Sequence, residues 1–221
     1  TTSGSSVWAL EQSADRSGDG VKDIIAGDFA GQYYFLDATD GSELDNGTSG
    51  PNLFIRFEKL HDVNGNGADE ILFAYSGTNG ILVDGLTGET LWFSSLSDKA
   101  WNVARISDIS GDGIDDAIIG TLYSNNRCYF LDGVNGDVLF NKSVPAPVDA
   151  VNTIPDITGD GSMEVVVGDR NGGVYCYSGG LQHSVGINER QNFEKIQAYA
   201  MPNPFGDNTE IVFMLNSNAR V

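Results

Sequence analysis

Oxygen-bearing side chains stand at positions 1, 3, 5 and 9 of a nine-residue loop that this chain writes four times. The first copy carries Asp15, Ser17, Asp19 and Asp23, and the second Asp62, Asn64, Asn66 and Glu70. The third carries Asp108, Ser110, Asp112 and Asp116, and the fourth Asp156, Thr158, Asp160 and Glu164. Alternate residues of a tight loop point inward, so positions 1, 3 and 5 converge while the position 9 carboxylate closes the shell. Position 7 (Val21, Ala68, Ile114, Ser162) would add a backbone carbonyl, for which the side chain hardly matters. Glycine at position 6 permits the positive φ of a sharp turn. Six to eight oxygen donors at about 2.3–2.6 Å in tolerant geometry are what Ca2+ takes, whereas Mg2+ demands near-octahedral order and keeps its water. The expectation is about four structural Ca2+, one per loop. The second loop, with Asn at positions 3 and 5, offers two carboxylates where the others offer three, so its site is the weakest. Asp69, at position 8, should point away from it.

A helical calcium hand would need a bidentate Glu at position 12 and a helix beyond it. Position 12 is Ala26, Phe73, Ile119 or Val167, and each loop runs into β-branched residues ending near glycine or alanine, which are strand signals. The helical hand is excluded.

The elements that must position these loops follow from their spacing. First residues fall at 15, 62, 108 and 156, a period of 46 to 48 residues, which marks a repeat architecture. Eighteen to twenty residues after each of the first three loops begins comes a second phrase, an apolar run, an Asp-x-x-x-Gly turn and another apolar run: Tyr33–Leu44, Gly80–Trp92 and Cys128–Phe140. That is a hairpin signal. A short strand also precedes each loop, near Val7, Leu53, Trp101 and Ala150. Four antiparallel strands in about 47 residues make one blade of an all-β propeller, and blades bury their faces only by stacking on neighbours. The blades are expected at about 7–50, 51–98, 99–146 and 147–180; the fourth, ending Val174–Gly180, lacks its outer strand. Gly27, Ala74, Gly120 and Gly168 recur at equivalent places and predict close backbone contact on the inner strands. Helix is nearly absent, with at most a turn or two near Asn188–Ile196.

Loop plus following strand resembles the FG-GAP or VCBS repeat of integrin α-subunit propellers and many bacterial surface proteins. The later hairpin resembles the blade phrase of quinoprotein-type propellers. The resemblance covers residues 7–180 and implies one calcium per loop, held by the residues named above. Serine or threonine at position 3 in three loops departs from the acidic residue or Asn commoner there. Four blades are fewer than such propellers usually carry, so the resemblance implies part of a larger ring. After a polar linker (181–197), residues 198–221 carry Pro202-Asn203-Pro204-Phe205 and the alternating Ile211, Phe213 and Leu215. This resembles the truncated start of the immunoglobulin-like C-terminal module of the flagellar hook-capping family and of type IX secretion sorting domains; the plain alternative is a Pro-rich linker. The resemblance implies export to the surface or exterior of a Gram-negative, Bacteroidetes-like bacterium.

Thirty-one acidic against twelve basic residues give a net charge of −19, which argues against a nucleic-acid partner. Four bound Ca2+ would bring this to about −11, so the acidity is partly a metal requirement. No run approaches the ~18 apolar residues of a membrane-spanning helix. Thr1 opens no secretory signal, which does not oppose export of a trimmed chain. Cys128 and Cys176 lie in corresponding strands of adjacent blades; an interblade disulfide and two buried free thiols are both compatible with the sequence. The function expected is a secreted or cell-surface calcium-binding propeller acting in adhesion, as a scaffold, or in glycan or protein binding. The alternative is a polysaccharide-active enzyme, lyase-like, or a quinoprotein-type propeller. Lyase chemistry needs a converging base, yet there are only two histidines, His61 beside a loop and His183 in the linker. No nucleophile elbow, phosphate loop or zinc motif appears. Trp8, Trp92 and Trp101 could stack on sugars, but at strand positions they are expected in the core.

Overall fold

The structure is a computed structural model and describes residues 4–179 together with the strands Gln197–Met201 and Glu210–Met214. The linker, the turn near Asn188–Ile196, the Pro-Asn-Pro-Phe entry and Leu215 lie outside the described residues. The chain forms two compact units, Thr1–Leu181 and Gln182–Val221.

In the first unit, four antiparallel sheets follow one another in chain order. Blade 1 comprises β1 (Val7–Gln12), β2 (Ile24–Asp28), β3 (Gln32–Leu36) and β4 (Glu43–Thr48). Blade 2 comprises β5 (Phe54–Leu60), β6 (Glu70–Tyr75), β7 (Asn79–Val83) and β8 (Thr90–Ser95). Blade 3 comprises β9 (Ala100–Ile106), β10 (Asp116–Thr121), β11 (Arg127–Leu131) and β12 (Val138–Ser143). Blade 4 comprises β13 (Val148–Ile154), β14 (Glu164–Asp169) and β15 (Val174–Ser178), with no fourth strand among the described residues. In the second unit, β16 (Gln197–Met201) pairs antiparallel with β17 (Glu210–Met214). No helix occurs among the described residues.

Each blade repeats the same irregularities. The pairing of its first two strands slips by one residue, at Val7/Ala9, Phe54/Arg56, Gly120/Thr121 and Val148/Ala150. Such bulges increase local twist, as strands near a common axis require. The hairpin of blades 1 to 3 closes on a left-handed glycine, Gly41, Gly88 or Gly136, whose N–H donates to the carbonyl of Asp37, Asp84 or Asp132. The Asp-x-x-x-Gly phrase is therefore the turn itself.

The core is not one cluster but three layers, each sandwiched between consecutive blades. Ile25 and Phe35 meet Phe54, Phe57 and Phe73 in the first. Leu72, Leu82 and Trp92 meet Val103, Ile119 and Leu131 in the second. Ile118 and Phe130 meet Val148, Val151 and Val167 in the third. Burying one such side chain is worth about 1.5–3 kcal/mol, so the blades are held chiefly by these layers. Of the recurring glycines, Gly27 and Gly120 make a close approach and Gly168 does not. A Cβ on Gly27 would lie 2.6 Å from the Phe57 ring and 2.7 Å from Phe54 Cβ, and one on Gly120 would lie 2.5 Å from Val148 Cγ1. β6 and β10 are buried along their whole length because blades 2 and 3 have neighbours on both faces. β15 alternates exposed and half-buried because blade 4 has one neighbour. The innermost strands pack in order, β1 on β5, β5 on β9 and β9 on β13, and no comparable packing joins β13 to β1 among the described residues. The four blades make an open arc.

Two sequence expectations are corrected. Cys128 and Cys176 are both free, but only Cys128 is buried; Cys176 is exposed because it lies on the face of blade 4 that no other blade covers. Burial pushes the Cys128 thiol up to about 12. Trp92 is a core residue whose indole N–H donates to Gly133 O at 2.9 Å, across to blade 3. Trp101 is half-buried, with the Arg170 guanidinium over its ring. Trp8 is instead exposed, edge-on to Phe29.

Candidate metal centres

In each blade the acidic loop joins the first strand to the second, and in blades 1 to 3 the hairpin turn joins the third to the fourth. Antiparallel order puts these two connections at the same end of the sheet. All four loops therefore sit on one rim of the arc.

Two glycines shape every loop, not one. Position 4 (Gly18, Gly65, Gly111, Gly159) and position 6 (Gly20, Gly67, Gly113, Gly161) all adopt φ between +77° and +92°. The sequence reading assigned a role only to the second of each pair. Side chains at position 1 then organise the turn. Asp15 Oδ1 accepts from Gly18 N–H at 2.7 Å and Oδ2 from Gly20 N–H at 2.8 Å, and Asp62, Asp108 and Asp156 repeat both bonds. Position 3 hydroxyls lie beside position 1 in two loops, Ser17 on Asp15 at 3.3 Å and Ser110 on Asp108 at 3.2 Å. Position 5 accepts from the amide of position 7: Asp19 from Val21, Asn66 from Ala68, Asp112 from Ile114 and Asp160 from Ser162.

The closing residues Asp23, Glu70, Asp116 and Glu164 are fully buried. Asp116 Oδ2 accepts from Ile109 and Ser110 N–H at 2.7 and 2.8 Å, while Oδ1 accepts from Gly133 N–H of the hairpin turn at 2.8 Å. Asp23 makes the same three bonds with Arg16, Ser17 and Ala38. Glu164 takes Ile157 and Thr158 on separate oxygens. This carboxylate ties loop to sheet through backbone amides, whatever else it ligates. Glu70 is the exception: Oε2 accepts from Val63 at 2.9 Å, and the buried Oε1 has no partner. Burial raises Glu70 to about 7, against the loop amides that favour its charge. Burial likewise raises Asp116. The rim acids move the other way. Thr39 Oγ1–H and Val21 N–H hold Asp19 below the usual carboxylate range, and Ser178 Oγ–H and Ser162 N–H do so for Asp160.

The second phrase of the repeat contributes side chains that the sequence reading left out. Thr39 of the first hairpin donates to Asp19, and Ser178 to Asp160 at 2.6 Å. In blade 2 the Asn64 and Asn66 amides both donate to Asp84 Oδ2 at 2.7 Å. The second loop thus places two amide N–H groups against the hairpin carboxylate. The signal was present as the aspartate that opens each Asp-x-x-x-Gly turn. Loops also hold one another: Lys22 meets Asp69 at 3.2 Å, so Asp69 points toward loop 1, and Asp115 meets His61 at 2.6 Å and Arg105 at 2.7 Å.

The donor set in every loop is oxygen only and fits a hard cation in chemistry. The orphaned Glu70 Oε1 is a buried acceptor that such an ion would satisfy. In position, the carboxylates are spread over amides, and no three His, Cys, Asp or Glu side chains gather tightly enough to hold an ion among the described residues.

No family model matches the chain, and no curated protein matches it. Solved structures do. BBS1N, crystallised in complex with ARL6DN, is 14% identical with a TM-score of 0.59 over 82% of this chain and 53% of that one. Sqt1 of Saccharomyces cerevisiae is 14% identical with a TM-score of 0.60, over 76% of this chain and 44% of its own. The chain has a β-propeller fold. The computationally designed protein Ika4, also 14% identical, superposes with a TM-score of 0.57 over 80% of this chain and 93% of its own. At such identity the likeness shows the fold alone, and the chain spans about half the length of the BBS1N chain it matches. No helix among the described residues is long and apolar enough to cross a membrane.

Proposed function

We propose that this chain is a calcium-stapled propeller scaffold, secreted or displayed at a cell surface, that binds a protein or glycan partner. The observation that carries the reading is the fourfold recurrence, on one rim, of a loop with two left-handed glycines and oxygen donors alone. Bound there, Ca2+ would supply positive charge against carboxylates that otherwise repel one another. Asp15, Ser17, Asp19 and Asp23 would hold it in blade 1; Asp108, Ser110, Asp112 and Asp116 in blade 3; and Asp156, Thr158, Asp160 and Glu164 in blade 4. Asp62, Asn64, Asn66 and Glu70 form the weakest site, since the two amide groups already answer Asp84. Extracellular modules bind Ca2+ at about 10⁻⁴–10⁻³ M, which suits the exterior. Export and a sorting role for residues 198–221 rest on resemblance. A protein partner is supported by the crystallisation of BBS1N with ARL6DN.

Equilibrium dialysis against Ca2+ tests the proposal. Three or four ions per chain, with Mg2+ competing poorly, are expected. No binding at 5 mM would overturn it.

A further inference from the structure

A strip of aromatic and charged side chains lies on the rim opposite the acidic loops, where β9 and β13 begin and β10–β11 and β14–β15 connect. Trp101 and Asp149 occupy the same place in adjacent blades. Each is the residue that the slip in pairing leaves without a partner across its strand. A bulge re-aims its side chain, and here both meet Arg170. The Arg170 guanidinium donates to Asp149 through Nη2 at 2.5 Å and Nε at 3.1 Å, and lies 6.0 Å from the centre of the Trp101 ring. Hydrogen bonding to Asp149 raises the Arg170 pKa against desolvation, and the charges of Asp149 and Tyr123 add to it, so Tyr123 stands within reach of the same guanidinium. Lys99 Nζ in turn lies 5.1 Å from the centre of the Tyr123 ring. Tyr123 is 60% exposed although blade 3 has a neighbour on each face. Its loop is nevertheless fixed, since Asp98 accepts the N–H groups of Tyr123, Ser124 and Asn125 at 2.9, 2.5 and 3.0 Å.

We infer that Lys99, Trp101, Tyr123, Asp149 and Arg170 form a binding site for a neutral saccharide. A hexose presents an apolar C–H face and a rim of hydroxyls in neighbouring pairs. Tyr123 and the half-buried Trp101 supply aromatic surface for the face, while Arg170 and Asp149 supply adjacent donors and acceptors for the hydroxyls. Charge decides between a neutral and an acidic sugar. Lys99 and Arg170 are balanced locally by Asp98 and Asp149, and the molecule carries −19, so a polyanion is repelled at range. Size decides between a sugar and a protein, since a stable protein partner covers about 20–30 residues a side. The inference rests on the binding role proposed above and assigns it a ligand class and a place, but it does not depend on the ions.

A printed array of neutral and uronic-acid oligosaccharides, probed with the full chain in 5 mM CaCl2, tests this. Neutral members should be retained, and calorimetric titration with the best of them gives the reference affinity. Trp101→Ala and Tyr123→Ala should each weaken it by about tenfold or more. Arg170→Lys, which keeps the charge but loses the planar fork, should do the same. Phe93→Ala, which removes a 65% exposed ring from β8, should bind as wild type does. Raising NaCl from about 50 to 500 mM should leave the affinity within about twofold, as it would not for an anionic ligand. Thermal melts show that each variant is folded, and Tyr123→Ala removes only an exposed ring. Retention of uronic-acid members alone overturns the inference, as do folded variants that bind undiminished. A chain that loads Ca2+ but retains no neutral saccharide overturns this site and leaves the calcium scaffold standing. Saccharide bound at the strip by a chain that loads no Ca2+ does the reverse.

Discussion

Asp116 carries three backbone N–H groups on a carboxylate with no exposure to water. Asp116→Ala leaves all three without an acceptor, and each buried orphan costs about 1–3 kcal/mol. Urea denaturation should show at least 3 kcal/mol of destabilisation without added Ca2+, a loss that a purely metal-ligating role would not produce. In loop 2 the corresponding test is Asp84→Ala. It strands the Asn64 and Asn66 amides and should cost about 1–3 kcal/mol in chelator, with the other loops still loading Ca2+. Residue types at positions 1, 3, 5 and 9 were legible in the sequence because a metal cage and an Asx-type turn demand the same oxygens at the same spacing. For that same reason the anchoring of position 9 to backbone amides was not. A carboxylate that ligates and one that accepts amides are written with the same letter, and only the position of Gly133 N–H or Ala38 N–H distinguishes them.

At the scale of elements, the blades depend on close approach at a few points. Gly120→Ala forces a Cβ against Val148 and should destabilise by about 1–3 kcal/mol through overpacking. Gly168→Ala, in the same place one blade later, should fall within about 0.5 kcal/mol of wild type. Equal costs at the two positions would deny that the third interblade layer is packed as described. The β10–β11 connection has its own anchor. Asp98 is buried, which opposes its charge, but N–H groups of Ser124, Asn125 and Lys99 outweigh that and hold its pKa below the usual range. A depressed pKa contributes stability above the unfolded value, and that stability is lost as pH falls through the folded one. Asp98→Asn should therefore be less stable than wild type near pH 7, by about 1–2 kcal/mol, with the gap closing toward pH 3. Strand order and hairpins could be read from period and turn chemistry, since each is local. The exposure of Trp8 could not, because the slip in pairing between Val7 and Ala9 takes it out of the alternation of its strand.

Across the whole molecule, a net charge of −19 and a rim of clustered carboxylates must be reconciled with cooperative folding. The three apolar layers hold the blades to one another, while the rim works against them until its charge is neutralised. With Ca2+ at ten times Kd, each occupied site adds about 1.4 kcal/mol, so three or four add ~4–6 kcal/mol. For a chain of this size 1 kcal/mol moves the midpoint by about 2–4 °C. The most direct test is a pair of thermal melts, one in 5 mM CaCl2 and one in excess EGTA, at matched ionic strength. On the proposed calcium-stapled reading the protein should melt about 10–20 °C lower in chelator and recover when Ca2+, but not Mg2+, is restored. Superimposable curves would contradict it.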